Sequence, residues 1–143
     1  MKTIFILDAD SVQQKQMTHH LSTMGFAVRS FFTANEFGSA NEKPFMIILD
    51  EKMENKENAG MQFLKKIHKK LSRVPVVYMV SRSDKKMVSD AKKAGAYEVI
   101  EKNSAAFVNL RTTLDKLEHA PAQGWFSRLF SKKESQNLPA LSI

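Results

Sequence analysis

Several runs of this chain end in a polar side chain of a kind that does chemistry. Asp8 and Asp10 follow Thr3-Ile4-Phe5-Ile6-Leu7, and Asp50 follows Pro44-Phe45-Met46-Ile47-Ile48-Leu49. Ser81 follows Val76-Val77-Tyr78-Met79-Val80, and Lys102 follows Tyr97-Glu98-Val99-Ile100-Glu101. Brought together, the three carboxylates would repel one another and need a cation, for which a hard divalent ion such as Mg²⁺ and the ammonium of Lys102 are the natural partners. If Asp50 accepted a phosphoryl group, that ion, Lys102 and Ser81 could hold its three oxygens. Taken singly, each residue has an ordinary explanation. Asp50 could cap the loop after it, and Ser81 with Asp84 has the spacing of a capping box. Neither a nucleophile–base pair nor a glycine-rich phosphate loop is present, so a small-molecule enzyme is disfavoured and the chain reads as a non-enzyme.

The elements that must position these residues are legible from periodicity. The run ending at Asp50 is apolar without alternation, as expected of a strand buried on both faces in the middle of a parallel sheet. Thr3–Leu7 and Val74–Ser81 read the same way, with Pro75 at the start where the ladder tolerates it. Phe26–Phe31 and Tyr97–Lys102 mix apolar with polar residues and read as sheet edges. Between the strands, Val12, Met17, Leu21 and Met24 predict a helix capped by Asp10 or Ser11 and stopped at Gly25. A brief helical piece carries Phe37 and Ala40. Met61, Leu64, Ile67 and Leu71, then Met87, Val88, Ala91 and Ala94, and finally Phe107, Leu110, Leu114 and Leu117 give three more apolar stripes. Asn103 or Ser104 is placed to cap the last helix. Residues 51–60 are too charged for core and predict an exposed loop, and His19, His20, His68 and His119 read as solvated. Five strands alternating with helices predict a doubly wound α/β domain, with Asp8, Asp10, Asp50, Ser81 and Lys102 on one rim.

Composition narrows the classes. The chain has 143 residues, 43% of them hydrophobic, enough for one domain with a sizeable core, and it has no cysteine for a disulfide or thiolate metal site. No apolar run approaches a membrane span and no secretory signal opens the sequence, which predicts a soluble cytoplasmic protein. The formal net charge is +7, but the lysines are distributed over several segments and predict solvated helix faces rather than nucleic-acid binding. Residues 1–120 read as the domain and 121–143 as a tail. In that tail Trp125, Phe126, Leu129 and Phe130 fall on one face of a short amphipathic helix with a basic end. The tail could dock on its own domain, on a partner protein or on an anionic membrane surface.

Over positions 2 to 118 the sequence resembles the response-regulator receiver domain of two-component signalling. The resemblance rests on ILDAD at 6–10, PFMIILD at 44–50, PVVYMVS at 75–81, AGA at 94–96 and VIEK at 99–102, in the family's order. It implies a flavodoxin-like sheet of order 2-1-3-4-5 and phosphoryl transfer from a histidine kinase or phosphotransfer protein to Asp50. It also implies a Mg²⁺ site at Asp8 and Asp50, and Ser81 and Lys102 as the phosphate-sensing pair. The expected role is that of a stand-alone signalling phosphoprotein that acts through contacts with a downstream protein.

The departures are as informative. Ala9 stands where the family has the second acid of its metal-binding pair, which weakens the expected Mg²⁺ site and leaves Asp10 and the backbone carbonyl of Lys52 as further candidate ligands. The Lys52 side chain could pair with Asp50 in partial replacement of the ion's charge. The loop after Asp50 is long, with Glu54 in place of a common proline. Arg82 replaces a small residue, Asn103 replaces a proline, and Val99 stands where an aromatic switch residue is usual. The alternative to a phosphorylatable receiver is therefore a pseudo-receiver that binds protein independently of phosphorylation.

Overall fold

A computed structural model describes residues 1–56 and 58–119; the expected amphipathic helix of the tail and the domain boundary at 120/121 lie outside the described residues. Strands β1 (Thr3–Leu7), β2 (Ala27–Phe31), β3 (Met46–Asp50), β4 (Val76–Val80) and β5 (Glu98–Glu101) form one parallel sheet of order β2-β1-β3-β4-β5. Helices α1 (Ser11–Thr23), α2 (Ala34–Gly38), α3 (Ala59–Lys70), α4 (Lys85–Lys93) and α5 (Ala106–His119) supply the crossovers that parallel neighbours require. The fold is the flavodoxin-like one expected.

The unbroken apolar runs follow from two covered faces. Along β1, Phe5 and Leu7 point to one side, where they join Phe37 of α2, Leu64 and Ile67 of α3 and Ala91 of α4. Ile4 and Ile6 point to the other side and join Leu21 of α1 and Leu110 and Leu114 of α5. β3 and β4 lie inside this sandwich and are buried at all positions, whereas β2 and β5 are partly exposed edges. Phe5, Phe31 and Phe37 meet edge to face at 5.2–5.8 Å, an arrangement that the ring quadrupoles favour. Register then aligns the carboxyl ends: Leu7 pairs with Leu49, Asp50 with Met79, and Val80 with Glu101.

Several local expectations are corrected. Val12 is 61% exposed, and Gln14 takes the buried place on α1 beside Leu21. The loop after Asp50 is not wholly exposed: a single 3₁₀ turn, Met53–Asn55, buries Met53 in the core. Asp84 is itself the N-cap of α4, accepting from the Met87 N–H at 2.8 Å, so Ser81 is no part of a capping box. His20 is half-buried and stacks on Phe107 with ring centroids 4.3 Å apart. His68 lies over Gly95, where a Cβ would stand 2.4 Å from its ring. Among the described residues no helix is long and apolar enough to cross a membrane.

Candidate functional site

Asp50 closes β3 and is only 3% exposed. Its Oδ2 accepts from Lys102 Nζ at 2.7 Å and its Oδ1 from the Lys52 backbone N–H at 2.8 Å. The second bond is the local turn that an aspartate makes with the amide two residues on. Lys102 arrives because its backbone N–H continues the ladder onto the Val80 carbonyl at 2.8 Å, one step beyond β5. Its side chain then crosses the end of β4 to reach β3. A buried carboxylate needs such a partner, since an unpaired charge at this depth costs several kcal/mol or more. The Lys52 side chain forms no ion pair with Asp50; Lys102 fills that role.

Asp8 stands at the end of β1, with its backbone N–H on the Phe31 carbonyl and its Oδ1 accepting from the Asp10 N–H at 2.9 Å. Burial pushes its carboxyl up from 3.8 to about 6, and the nearby Asp50 charge adds to the rise. Among the described residues Asp8 has no cation within ion-pair distance. Asp10 adds repulsion rather than a cation, and its Oδ1 caps α1 by accepting from Val12 and Gln13 N–H at 2.9 and 3.1 Å. Gln14, which sequence reading passed over, is 4% exposed and donates its amide to both the Asp8 and the Phe31 carbonyls at 2.7 Å. That bridge fixes where β1 ends and Asp8 begins. A polar residue at a core-facing position of α1 was the available signal.

Ser81 is exposed and shares a cleft of about 380 Å³ with Asp8, Asp10, Asp50, Lys52 and Lys102. Its backbone N–H is taken by Glu51 Oε1 at 2.6 Å, so the residue after the buried aspartate ties β3 to the end of β4. Arg82 is exposed and is not among the residues lining this cleft. The Ser83 N–H and then the Asn103 amide, with a smaller contribution from the Arg82 charge, hold the Glu101 carboxyl below the usual carboxylate range. Asn103 also accepts from the Ala105 N–H at 2.9 Å, capping the turn into α5 in place of a proline. Glu54 has φ +57, a value a proline ring cannot adopt, and its Oε1 accepts from the Ala34 N–H at 3.0 Å. Beneath the exit of β3, Gly60 brings α3 into contact with the backbone: a Cβ there would stand 2.5 Å from Glu51 Cα.

The structure thus brings Asp8, Asp50, Ser81 and Lys102 together in a cleft that Asp10 also lines, with one oxygen of the Asp10 carboxylate taken by its own helix. Among the described residues no group of three or more His, Asp or Glu side chains converges to hold a metal ion. Asp8 and Asp50, which line one cleft, still suit Mg²⁺, which commonly takes one or two protein carboxylates and completes its shell with water and phosphate oxygens.

Residues 4–115 match the family model described as the response regulator receiver domain. The transcriptional regulatory protein TdiR of Thauera aromatica is 24% identical over 102 residues, which are 70% of this chain and 44% of TdiR. The crystal structure of the response regulator DrrB, a Thermotoga maritima OmpR/PhoB homolog, superposes with a TM-score of 0.72 at 23% identity, over 82% of this chain and 53% of DrrB. A response regulator receiver protein from Pseudoalteromonas atlantica gives a TM-score of 0.71 at 21% identity, over 83% of this chain and 99% of that one. This chain therefore spans about half or less of the length of TdiR and of DrrB and nearly all of the isolated receiver.

Proposed function

Because the chain belongs to the response regulator receiver domain family, we propose that Asp50 accepts a phosphoryl group from a histidine kinase or phosphotransfer protein. The loaded domain then signals in the cytoplasm through contacts with a further protein. The observation that carries this reading is the buried Asp50 carboxylate held 2.7 Å from Lys102 in a cleft shared with Asp8 and Ser81. In the transfer an Asp50 oxygen bonds to phosphorus while the bond from phosphorus to the donor nitrogen breaks, its electron pair leaving on the imidazole. Lys102 is placed to neutralise charge on the arriving group, and the Ser81 hydroxyl to donate to another of its oxygens. Asp8 and Asp50, with the backbone carbonyl of Lys52, would hold Mg²⁺, which when bound neutralises the phosphoryl oxygens. Ala9 contributes no ligand, so the ion is held weakly. The chain is the acceptor of the group and not an enzyme acting on a separate substrate.

Incubation with acetyl phosphate and Mg²⁺, followed by mass spectrometry, tests the proposal. The gain of one phosphoryl group, absent in Asp50→Asn, is the expected result. A second reading is favoured by one contact: Glu51 Oε1 takes the Ser81 backbone N–H and so ties the end of β3 to the end of β4. A folded chain that stays unmodified would make it a protein-binding module of receiver fold.

A further inference from the structure

The lysines that are dispersed in sequence are gathered by the fold. α3 carries Lys65, Lys66, Lys69 and Lys70 with no acid, and α4 carries Lys85, Lys86, Lys92 and Lys93 with Asp90 as its one acid. Eight lysines against one aspartate equal the formal net charge of the whole chain, +7. The two helices lie on the same face of the sheet, on either side of a groove of about 960 Å³. Lys65, Lys66 and Lys69 line one wall; Lys86 and Lys93 line the other. All five are exposed and, among the described residues, none of them forms an ion pair, whereas Lys92 reaches Glu98 at 3.6 Å. The floor is different in kind: Met61 and Met87, both packed against the core, with Tyr78 and Ala94.

From this arrangement we infer that the α3–α4 groove is a docking site for an acidic segment of a partner protein that carries apolar anchor residues. Lysine rims attract the acidic side chains, and a floor with two methionines accepts apolar anchors of varied shape, since the thioether side chain adapts to its neighbour. A helix of twelve residues is about 18 Å long, so the wall of α3 matches an extended peptide of roughly six residues. Two other anions fit less well. Glu51, Asp84 and Asp90 also line the groove, and a nucleic-acid backbone, charged at every step, would meet them, whereas a peptide can place a neutral residue opposite each. A flat anionic membrane cannot reach the methionines on the floor of a concave site. The inference rests on the charge and shape of this face and is independent of phosphoryl transfer at Asp50.

The test uses the full chain and a fluorescein-labelled probe peptide of about twelve residues, glutamates with leucine at every second position of the central six. Fluorescence polarisation measures binding to the wild type, to Lys65→Glu/Lys69→Glu/Lys86→Glu and to Lys15→Glu on α1, with circular dichroism confirming that each variant is folded. Comparators are the same peptide with glutamine for glutamate, a single-stranded RNA of equal length, and vesicles of phosphatidylglycerol in phosphatidylcholine. The expected result is saturable binding of the acidic peptide that weakens on the order of 30-fold in the triple variant, from two- to five-fold per lysine, and is unchanged in Lys15→Glu. Binding should also fade near 0.5 M NaCl, where charges are screened over about 4 Å. Absence of peptide binding, equal binding by the triple variant, or tighter binding of RNA or vesicles through the same three lysines would each overturn the inference.

Discussion

Gly60→Ala reverses the usual sign of a glycine replacement in a helix. In an exposed helix interior, alanine for glycine gains about 1 kcal/mol. At Gly60 the new Cβ would stand 2.5 Å from Glu51 Cα, 2.6 Å from Glu51 O and 2.8 Å from Asp50 O. All three are backbone atoms of the exit from β3, so no side-chain rotation relieves the clash, and the Gly60 N–H on the Glu51 carbonyl at 3.1 Å holds the two segments together. Overpacking of this kind costs about 1–3 kcal/mol, which exceeds the propensity gain over most of its range. Net of that gain the loss is up to about 2 kcal/mol, which for a domain of this size is a fall in Tm of up to roughly 8 °C. The displaced atoms belong to Asp50 and its neighbour, so phosphorylation by acetyl phosphate should slow by about 10-fold or more even where the variant is folded. Thermal unfolding and phosphorylation rates, with Gln62→Ala on the exposed side of α3 as a near-neutral control, read both effects. A Gly60→Ala protein as stable and as readily phosphorylated as wild type would refute the claim that α3 packs directly beneath the site.

Ala9→Asp should tighten Mg²⁺ binding about 10-fold or more in a titration and speed phosphorylation by a small donor; no change in either would mean that another group already fills the ligand position. Asp8 supplies a pH dependence. Its carboxyl is raised from 3.8 to about 6 in the folded metal-free protein, so the folded state binds the extra proton between those values, and stability falls as pH rises from about 4 to about 6. Asp8→Asn should then raise Tm at pH 7.5 and leave it nearly unchanged at pH 4; equal effects at both pH values would contradict the assignment. Gln14→Leu removes the amide that bridges the Asp8 and Phe31 carbonyls and should cost about 1–3 kcal/mol in urea unfolding, more than an exposed α1 substitution such as Gln16→Ala.

The fold was legible where a residue's type follows from burial alone. The runs of β1, β3 and β4 are apolar because both faces are covered, and parallel pairing forces their ends, and so Asp8, Asp50, Ser81 and Lys102, onto one rim. Contacts that depend on side-chain direction were not legible. Asp10 looks like a third ligand in sequence, yet its position before α1 makes the helix amides its nearest donors. Gln14 looks like a surface residue, and Val12 like core, until the helix is rotated to bring Gln14 over two strand-end carbonyls. Glu51 sits in a charged stretch that reads as solvent-exposed, and its contact with the Ser81 N–H depends on the β3–β4 register. The basic groove escaped notice for the same reason, since its two walls are separated in sequence by β4.

If Asp8, Asp50, Ser81 and Lys102 form one pocket able to hold a phosphoryl group on Asp50, a phosphoryl mimic should occupy it. Titration with beryllium fluoride and Mg²⁺, followed by amide NMR, tests it most directly, because that group occupies the place of a phosphoryl on a carboxylate without hydrolysing. Saturable shifts at Asp50, Ser81 and Lys102 that require Mg²⁺, strengthen in Ala9→Asp and vanish in Asp50→Asn are the expected result. A folded wild-type chain whose spectrum does not change, or changes equally in Asp50→Asn, would contradict it.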